Sequence, residues 1–399
     1  MNLNKTRNYL EYLIIIALYY VTGSAFSYTK YSLQITVFFL VSFFLFVFIC
    51  GKIERTSLII LLFMVVLLLI VPIINNDEFS SYIAIAMQIS IGLFCSAIIP
   101  LENFIKKYIN VIVVFAAISL ICFALSIIYP NIAKLFPMIK GDASLDYYNA
   151  GVYVFMQPKG YSSFFLFTRN AGICWEPGCY QSFLNIALLL LLENHKKYSS
   201  KKFYTYFFIL VTTVLTTLST TGFAALLIIL IIYLKSWFKY SSKLLLCIVL
   251  VLVSVVLLNI FTGWWEFIYE KIIREFSVEM QFLDRLSVDK IKYLIDENGR
   301  FYFFGMSFPK WLTYRQKLWN SIIHSFLCLG TPFTVIQLAG FWQGSKILTN
   351  KKYLFFLLIV LFCSTETLFW RVLYSTIAFY GWRLSNHYAP VKKEVIINK

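Results

Sequence analysis

SLIILLFMVVLLLIVPIIN, residues 57–75, is a run dominated by Leu, Ile and Val that carries no charged side chain. At a rise of about 1.5 Å per residue, a helix of this length matches a hydrocarbon core of roughly 30 Å. Comparable apolar runs recur from residue 10 to residue 383, without the alternation that is typical of strands. Since helices satisfy their own backbone hydrogen bonds in a bilayer, the pattern predicts an all-α, polytopic transmembrane helical bundle of about eleven or twelve spans. We interpret residues 1–399 as a single integral membrane domain.

The composition agrees with a membrane class. Hydrophobic residues make up 60% of the chain and charged residues 14%, whereas soluble domains average about 45–50% and 25%. The formal net charge of +16 would suit a nucleic-acid partner, but the lysines cluster in short connections beside the apolar runs. This placement is typical of cytoplasmic loops. It predicts a multi-pass protein of the bacterial inner (plasma) membrane with its N-terminus inside, and no nucleic-acid partner.

Two connections are too long to be simple turns, residues 130–177 and residues 263–320. The distribution of lysines places both on the external, periplasmic face. Their many aromatic residues argue against disorder, and the stretch from Trp264 to Glu270 is typical of an amphipathic helix in the membrane interface. We therefore predict two long, partly helical periplasmic loops.

The arginines are concentrated in these two loops, which hold five of the nine in the chain. A planar guanidinium grips phosphate through two hydrogen bonds, which a lysine does not reproduce. Arginines that extend toward anionic lipid at the interface are the alternative for any single position. For the five loop arginines taken together, we predict that they bind an anionic ligand. The loop arginines are Arg169, Arg274, Arg285, Arg300 and Arg315.

The segment from Arg169 to Gly178 is the most informative stretch of the sequence. Pro177 suits the first turn of a helix, and Glu176 would meet the positive end of that helix dipole. Capping of the helix would explain Glu176 equally well. However, Gln181 and Asn185 continue down one face of the same span, and polar groups inside a membrane helix normally face a bundle interior or a wet cavity. We predict the mouth of a binding site here.

Two further features lie near loop boundaries. The sequence Ser219-Thr220-Thr221-Gly222 separates two short apolar runs, and it predicts either polar groups below the external surface or a tight turn with capping hydroxyls. His324 follows the second long loop and opens an apolar run. Its imidazole would serve as a base or hold a phosphate, or it would simply hydrogen-bond to a neighbouring group.

Metal and cofactor chemistry is not indicated by the sequence. There is no Cys-x-x-Cys pair, no cluster of metal ligands and no glycine-rich phosphate loop, so we predict no metal and no cofactor. Cys174 and Cys179 fall together in the first external loop, where an oxidising compartment would permit a disulfide.

Taken together, these motifs resemble the O-antigen polymerase and O-antigen ligase superfamily of bacterial membrane glycosyltransferases. The resemblance covers residues 165 to 335, and one residue departs from it, because Ser325 stands where family members frequently carry Asn. The matching elements are Arg169-x-x-Gly172-x-x-x-Glu176-Pro177-Gly178, Ser219-Thr220-Thr221-Gly222, Arg285-Leu286, Phe304-Gly305-Met306, His324-Ser325-Phe326-Leu327 and Gly330.

The resemblance implies a metal-independent glycosyl transfer at the periplasmic face, with a glycan on undecaprenyl pyrophosphate as donor and a second lipid-linked oligosaccharide as acceptor. It implies Arg169 and Arg285, with Arg300 as a further candidate, as ligands of the pyrophosphate. Glu176 or His324 would take the proton of the attacking hydroxyl. A chain-length regulator protein is a candidate partner.

The sequence leaves other functions open. A ligase would move the finished glycan to lipid A core by the same chemistry. A transporter of the lipid-linked glycan would show repeat symmetry, with broken helices in corresponding halves. No halves of this sequence correspond, and both long loops are predicted on one face, so we favour the polysaccharide (O-antigen or capsule) polymerase.

Overall fold

The computed structural model describes residues 3–25, 27–49, 53–141, 145–158, 169–237, 303–305 and 320–384, and it is mostly helical. The helices before the first long loop are α1 (Leu3–Gly23), α2 (Ser27–Ile49), α3 (Arg55–Asn75), α4 (Ser80–Ile98) and α5 (Leu101–Ile128). Those that follow are α6 (Pro177–Glu193), α7 (Ser200–Thr216), α8 (Thr220–Trp237), α9 (Ser321–Leu329), α10 (Thr331–Leu348), α11 (Lys352–Thr365) and α12 (Val372–Leu384).

Three helices of the described chain, α3, α4 and α5, are long and apolar enough to cross a membrane. Large apolar side chains on α3 are exposed, among them Ile59, Leu62 and Phe63, as expected of a helix that faces hydrocarbon. Shorter apolar helical segments occur at Leu33–Ile49, Thr220–Tyr233 and Lys352–Thr365. The structure therefore supports a helical membrane protein, and the count of eleven or twelve spans stays a prediction.

The described part of the first long loop contains short strands in addition to the helical turn that the prediction of a partly helical segment allows. A 3₁₀ turn at Pro130–Leu135 is followed by an antiparallel sheet in the order β1-β2-β3. Tyr153 and Phe155 pack with Phe123 from the end of α5, so the sheet has a small apolar core of its own. Such short strands carry too little alternation to be recognised in the sequence. The strands are β1 (Met138–Gly141), β2 (Leu145–Asn149) and β3 (Val154–Pro158).

The segment that precedes α6 is fixed to the end of α1 by backbone hydrogen bonds. Ala25 N donates to Ile173 O at 2.9 Å, and Trp175 N donates to Gly23 O at 3.2 Å. Gly172 adopts a φ of +55°, and a Cβ at this position would collide with the ring of Tyr180. The turn thus needs glycine here, and it presents Trp175 and Glu176 at the end of the bundle.

The apolar run at His324 does not form one continuous helix in the structure. Asn320 Oδ1 accepts hydrogen bonds from Ile322 N and Ile323 N and begins α9, which ends at Leu329. Gly330 follows with a φ of +91°, and a Cβ there would collide with Phe303 O. The close approach of residues 303–305 therefore requires glycine at the break between α9 and α10. The rest of the second long loop, apart from residue 320, lies outside the described residues.

A second interruption separates α11 from α12 at residues 366–371. Ser321, the first residue of α9, holds this connection in place. Its Oγ donates to Cys363 O at 2.6 Å or Glu366 O at 2.7 Å and accepts from Leu368 N at 3.2 Å. The start of α9 and the 366–371 connection therefore form one unit.

Candidate functional site

Five parts of the chain meet at one end of the helices. They are the segment 169–176, the start of α6, the α7–α8 connection, the start of α9 and the 366–371 connection. Leu373 N, at the start of α12, donates to Thr22 Oγ1 at 3.0 Å. The 366–371 connection, which leads into α12, therefore lies near the end of α1. We refer to this region as the candidate site.

Arg169 lies on the α7–α8 connection. Its Nε donates to Thr217 O at 3.2 Å and its NH2 donates to Leu218 O at 3.0 Å. The next residue, Asn170, is buried and donates from Nδ2 to Thr216 Oγ1 at 2.9 Å. Two fixed carbonyl oxygens therefore set the orientation of the guanidinium, so that its position does not depend on a ligand.

Glu176 occupies the N-cap position of α6, and Pro177 is the first helical residue, as the sequence predicts. The carboxylate does not cap the helix, because no hydrogen bond joins it to the backbone N–H groups of the first turn. Instead, Trp175 Nε1 donates to Glu176 Oε1 at 3.0 Å. Capping therefore does not explain the glutamate at this position.

Gln181 and Asn185 are fully buried on one face of α6. Asn185 Nδ2 is within hydrogen-bonding distance of Gln181 Oε1 at 3.0 Å and of Gly222 O at 3.3 Å. Gln181 Nε2 and Asn185 Oδ1 have no hydrogen-bond partner among the described residues. An unsatisfied buried polar group costs about 1–3 kcal/mol. A donor and an acceptor left open on adjacent turns match a hydroxyl group, which both donates and accepts.

The Ser219–Gly222 turn lies against these amides, since a Cβ at Gly222 would press on the side chain of Gln181. Ser219 Oγ accepts from Gly222 N at 3.3 Å at the start of α8. The tight-turn interpretation thus explains the Ser219 hydroxyl. What the turn contributes to the site is the Gly222 carbonyl oxygen.

His324 lies on α9, and its ring meets that of Trp370 edge-on, with centroids 5.4 Å apart. The guanidinium of the adjacent Arg371 lies 5.2 Å from the ring centroid of Trp175. His324 and Glu176 are therefore linked by a chain of aromatic and cationic contacts. The neighbour that departs from the family pattern, Ser325, is buried, and its Oγ is 2.9 Å from Thr334 Oγ1 across the Gly330 break.

Sequence reasoning missed Glu366 as a member of the site. Its side chain is 6% exposed, and it packs so closely on α6 that a Cβ at Gly178 would collide with Glu366 Oε1. The carboxyl groups of Glu366 and Glu176 are within hydrogen-bonding contact. The available signal was the pair of charges, Glu366 and Arg371, in an otherwise apolar stretch.

The electrostatics of Glu366 follow from this placement in the connection that follows α11. Burial raises the pKa of Glu366 well above its usual range, and the Glu176 carboxylate raises it further, while Arg169 acts in the opposite direction. The nearby Cys174 and Cys179 are free, buried thiols in contact with each other.

The predicted site residues Arg169, Glu176, Gln181, Asn185 and His324 are thus brought to one region. Arg285 and Arg300 lie outside the described residues. Within the described part of the chain, no group of three or more His, Cys, Asp or Glu side chains is arranged to hold a metal ion. Comparisons of the chain with protein-family models, with curated proteins and with solved structures found no match.

Proposed function

We propose that the chain is a polysaccharide (O-antigen or capsule) polymerase of the bacterial inner membrane, which joins undecaprenyl-pyrophosphate-linked repeat units at the periplasmic face. The observation that carries the proposal is the meeting of Arg169, two carboxyl groups and two incompletely bonded, buried amides at one end of the helices. The transfer of a glycan from a lipid pyrophosphate to a sugar hydroxyl requires a cation for the phosphate, a base for the proton and groups that bind the hydroxyl.

The chemistry assigns a role to each group. The bond between the anomeric carbon and the pyrophosphate oxygen breaks, so negative charge develops on phosphate. An arginine that is already oriented stabilises this charge in the transition state. Gln181 and Asn185 orient the acceptor sugar through its hydroxyl groups. A carboxylate removes the proton of the attacking hydroxyl, for a gain of roughly 10²–10⁴ in rate.

The sidedness of the site agrees with a periplasmic active centre. Glu176 lies at the start of α6, whereas Lys196 and Lys197 follow its other end. Lysines favour the cytoplasmic side, and a helix of 17 residues separates the two ends by about 25 Å. We propose in addition that helices other than α3, α4 and α5 also cross the membrane, which makes the chain a many-span bundle.

The test is turnover of a purified lipid-linked repeat unit by the protein in detergent, with added chelator to exclude a metal requirement. We expect Arg169→Lys to lose most of the activity, because lysine cannot satisfy two carbonyl oxygens and a phosphate from one planar group. Arg7→Lys is the matched control, since Arg7 lies half exposed near Glu11 at the other end of α1. Wild-type turnover by Arg169→Lys would refute the pyrophosphate clamp.

A ligase remains the alternative with the same chemistry and a different acceptor. The same assay separates the two functions when it is run with single repeat units or with lipid A core as the acceptor. Polymer in the first reaction supports the polymerase, and transfer only in the second supports the ligase.

A transporter of the lipid-linked glycan is favoured by one structural observation, the interruptions at Gly330 and at residues 366–371. Discontinuous helices near a polar centre are typical of secondary transporters. Proteoliposomes with a fluorescent lipid-linked glycan distinguish this function, because a transporter moves the probe across the bilayer without making a longer product.

A further inference from the structure

The contact between Glu176 and Glu366 is unusual because both groups are ordinarily anionic. An ionised carboxylate only accepts hydrogen bonds. No N–H or O–H of the described residues donates to Glu366 Oε2, which is buried. Two carboxyl groups in hydrogen-bonding contact at such a place are compatible only if one of them carries a proton.

The surroundings hold the two groups together. Glu366 follows α11 directly, and the Ser321 hydroxyl fixes the backbone of this connection. Gly178 leaves the space that the Glu366 carboxyl occupies. On the other side, Trp175 Nε1 donates to Glu176, and the ring of Trp175 is covered by the Arg371 guanidinium.

We propose that Glu176 and Glu366 together are the proton acceptor of the candidate site, and that they hold the accepted proton between their carboxyl groups. This inference rests on the proposed glycosyl transfer. The sequence offered Glu176 or His324 as the proton acceptor. The proposed acceptor is instead the pair of Glu176 and Glu366, of which Glu366 was not among the predicted site residues. Gln181 Nε2 and Asn185 Oδ1, on the helix that Glu176 begins, supply the independent indication that a hydroxyl-bearing ligand enters here.

The hydroxyl oxygen of the acceptor sugar forms a bond to the anomeric carbon of the donor. The bond from that carbon to the pyrophosphate breaks, and its electron pair remains on the phosphate oxygen. The hydroxyl proton passes to the ionised pair and is shared there until solvent removes it.

The pair has a basicity suited to this role. An isolated glutamate has a pKa of about 4.3 and is a weak base at neutral pH. Burial and the second carboxylate move the pKa of Glu366 upward, which makes its carboxylate a stronger base than an isolated glutamate. Other titratable or charged groups near the pair are Arg169, Cys174, Cys179, His324 and Arg371.

Infrared difference spectra of the purified protein test the shared proton without any activity. The C=O band of a protonated carboxyl should titrate in the wild-type chain at a pH well above that of an ordinary glutamate. It should disappear in Glu366→Gln, and in Glu176→Gln it should titrate at a lower pH than in the wild-type chain, because burial alone then raises the pKa of Glu366. Glu193→Gln is the matched control, because Glu193 ends the same helix and accepts from Asn350 Nδ2 at 2.9 Å and from the Tyr233 hydroxyl. A wild-type band that titrates only near pH ~4.3 would overturn the proposal.

The pH profile of glycan transfer then tests the role of the pair. Activity should fall at acid pH with the same midpoint as the infrared band. In Glu366→Gln, kcat should drop by about 10²–10⁴-fold, and the acid limb should move to lower pH, because the carboxyl group with the raised pKa is then absent. A structural role for Glu366 would lower kcat without moving the limb, and that result contradicts the proposal.

Failure of the inference and failure of the proposed function give different results. If the wild-type chain transfers glycan and Glu366→Gln keeps its pH profile, the pair is not the acceptor and the function stands. If the band behaves as expected but the wild-type chain transfers no glycan, the function and the acceptor role both fail.

Discussion

Two buried carboxylates of the described residues lie at different heights along α1, and they differ in how their charge is compensated. Glu11 is 1% exposed, and its Oε2 accepts from Lys107 Nζ at 2.6 Å and from Asn103 Nδ2 at 2.9 Å. Glu366 lies near the end of the same helix, roughly 18 Å away along its axis. There the group in hydrogen-bonding contact with the carboxyl is a second carboxyl group, that of Glu176.

The difference distinguishes a carboxylate whose buried charge is compensated from one whose buried charge is opposed by its neighbour. Lys107 lies in the second turn of α5, where it is 4% exposed and bound to a carboxylate. Every polar contact at Glu11 lowers the cost of burying its charge. At Glu366, burial and the neighbouring carboxyl group outweigh the opposite effect of Arg169 and raise that cost, and groups with such perturbed pKa values cluster at functional sites. Three substitutions test this distinction.

The largest expected loss of stability follows from Lys107→Met, which preserves the length of the side chain and removes its charge. Glu11 would then remain buried without its cation, at a cost of about 3–5 kcal/mol in the free energy of unfolding. Lys106→Met is the control, because Lys106 is exposed. Unfolding titrations in mixed micelles measure both variants. Equal stability of the two would show that the Glu11 cluster is not a structural element.

A smaller effect is expected from Gly178→Ala. The new methyl group would occupy the space of Glu366 Oε1 and displace it, at a cost of about 1–3 kcal/mol. In a Glu366→Ala background the collision is absent, so the same substitution should cost little. The double-mutant cycle therefore measures the contact itself. Additive effects of the two substitutions would mean that Glu366 does not pack on Gly178.

The smallest effect is a change in how stability depends on pH. Because folding raises the pKa of Glu366, its contribution is complete below the unfolded value of about 4.3 and is lost as pH rises through the folded value. The wild-type chain should therefore lose stability relative to Glu366→Gln as pH increases through this interval. A difference between the two chains that does not change with pH would contradict a pKa of Glu366 that burial and the Glu176 carboxyl group raise on folding.

Much of the helical architecture could be predicted from the sequence. The predicted start of a helix at Pro177 is confirmed, and the apolar run at residues 57–75 corresponds to α3. Both signals are local, since a proline at a first turn and a continuous apolar run act within a few residues. For the same reason the sequence places Gln181 and Asn185 on one face of α6.

Other features depend on distant contacts. The small sheet is stabilised by packing on the end of α5, and the break at Gly330 is fixed by the approach of Phe303. Neither feature can be recognised from the sequence of its own segment. Short strands alternate over too few residues, and a single glycine has several explanations.

The sequence by itself determined a mostly helical, apolar chain and a polar segment around Glu176, because hydropathy and helix periodicity are properties of neighbouring residues. Only the tertiary structure decided that Glu366, 190 positions later in the chain, lies beside Glu176. Its pKa is raised by burial and by the charge of a particular neighbour. Both effects depend on distances in space that no local pattern of residues encodes.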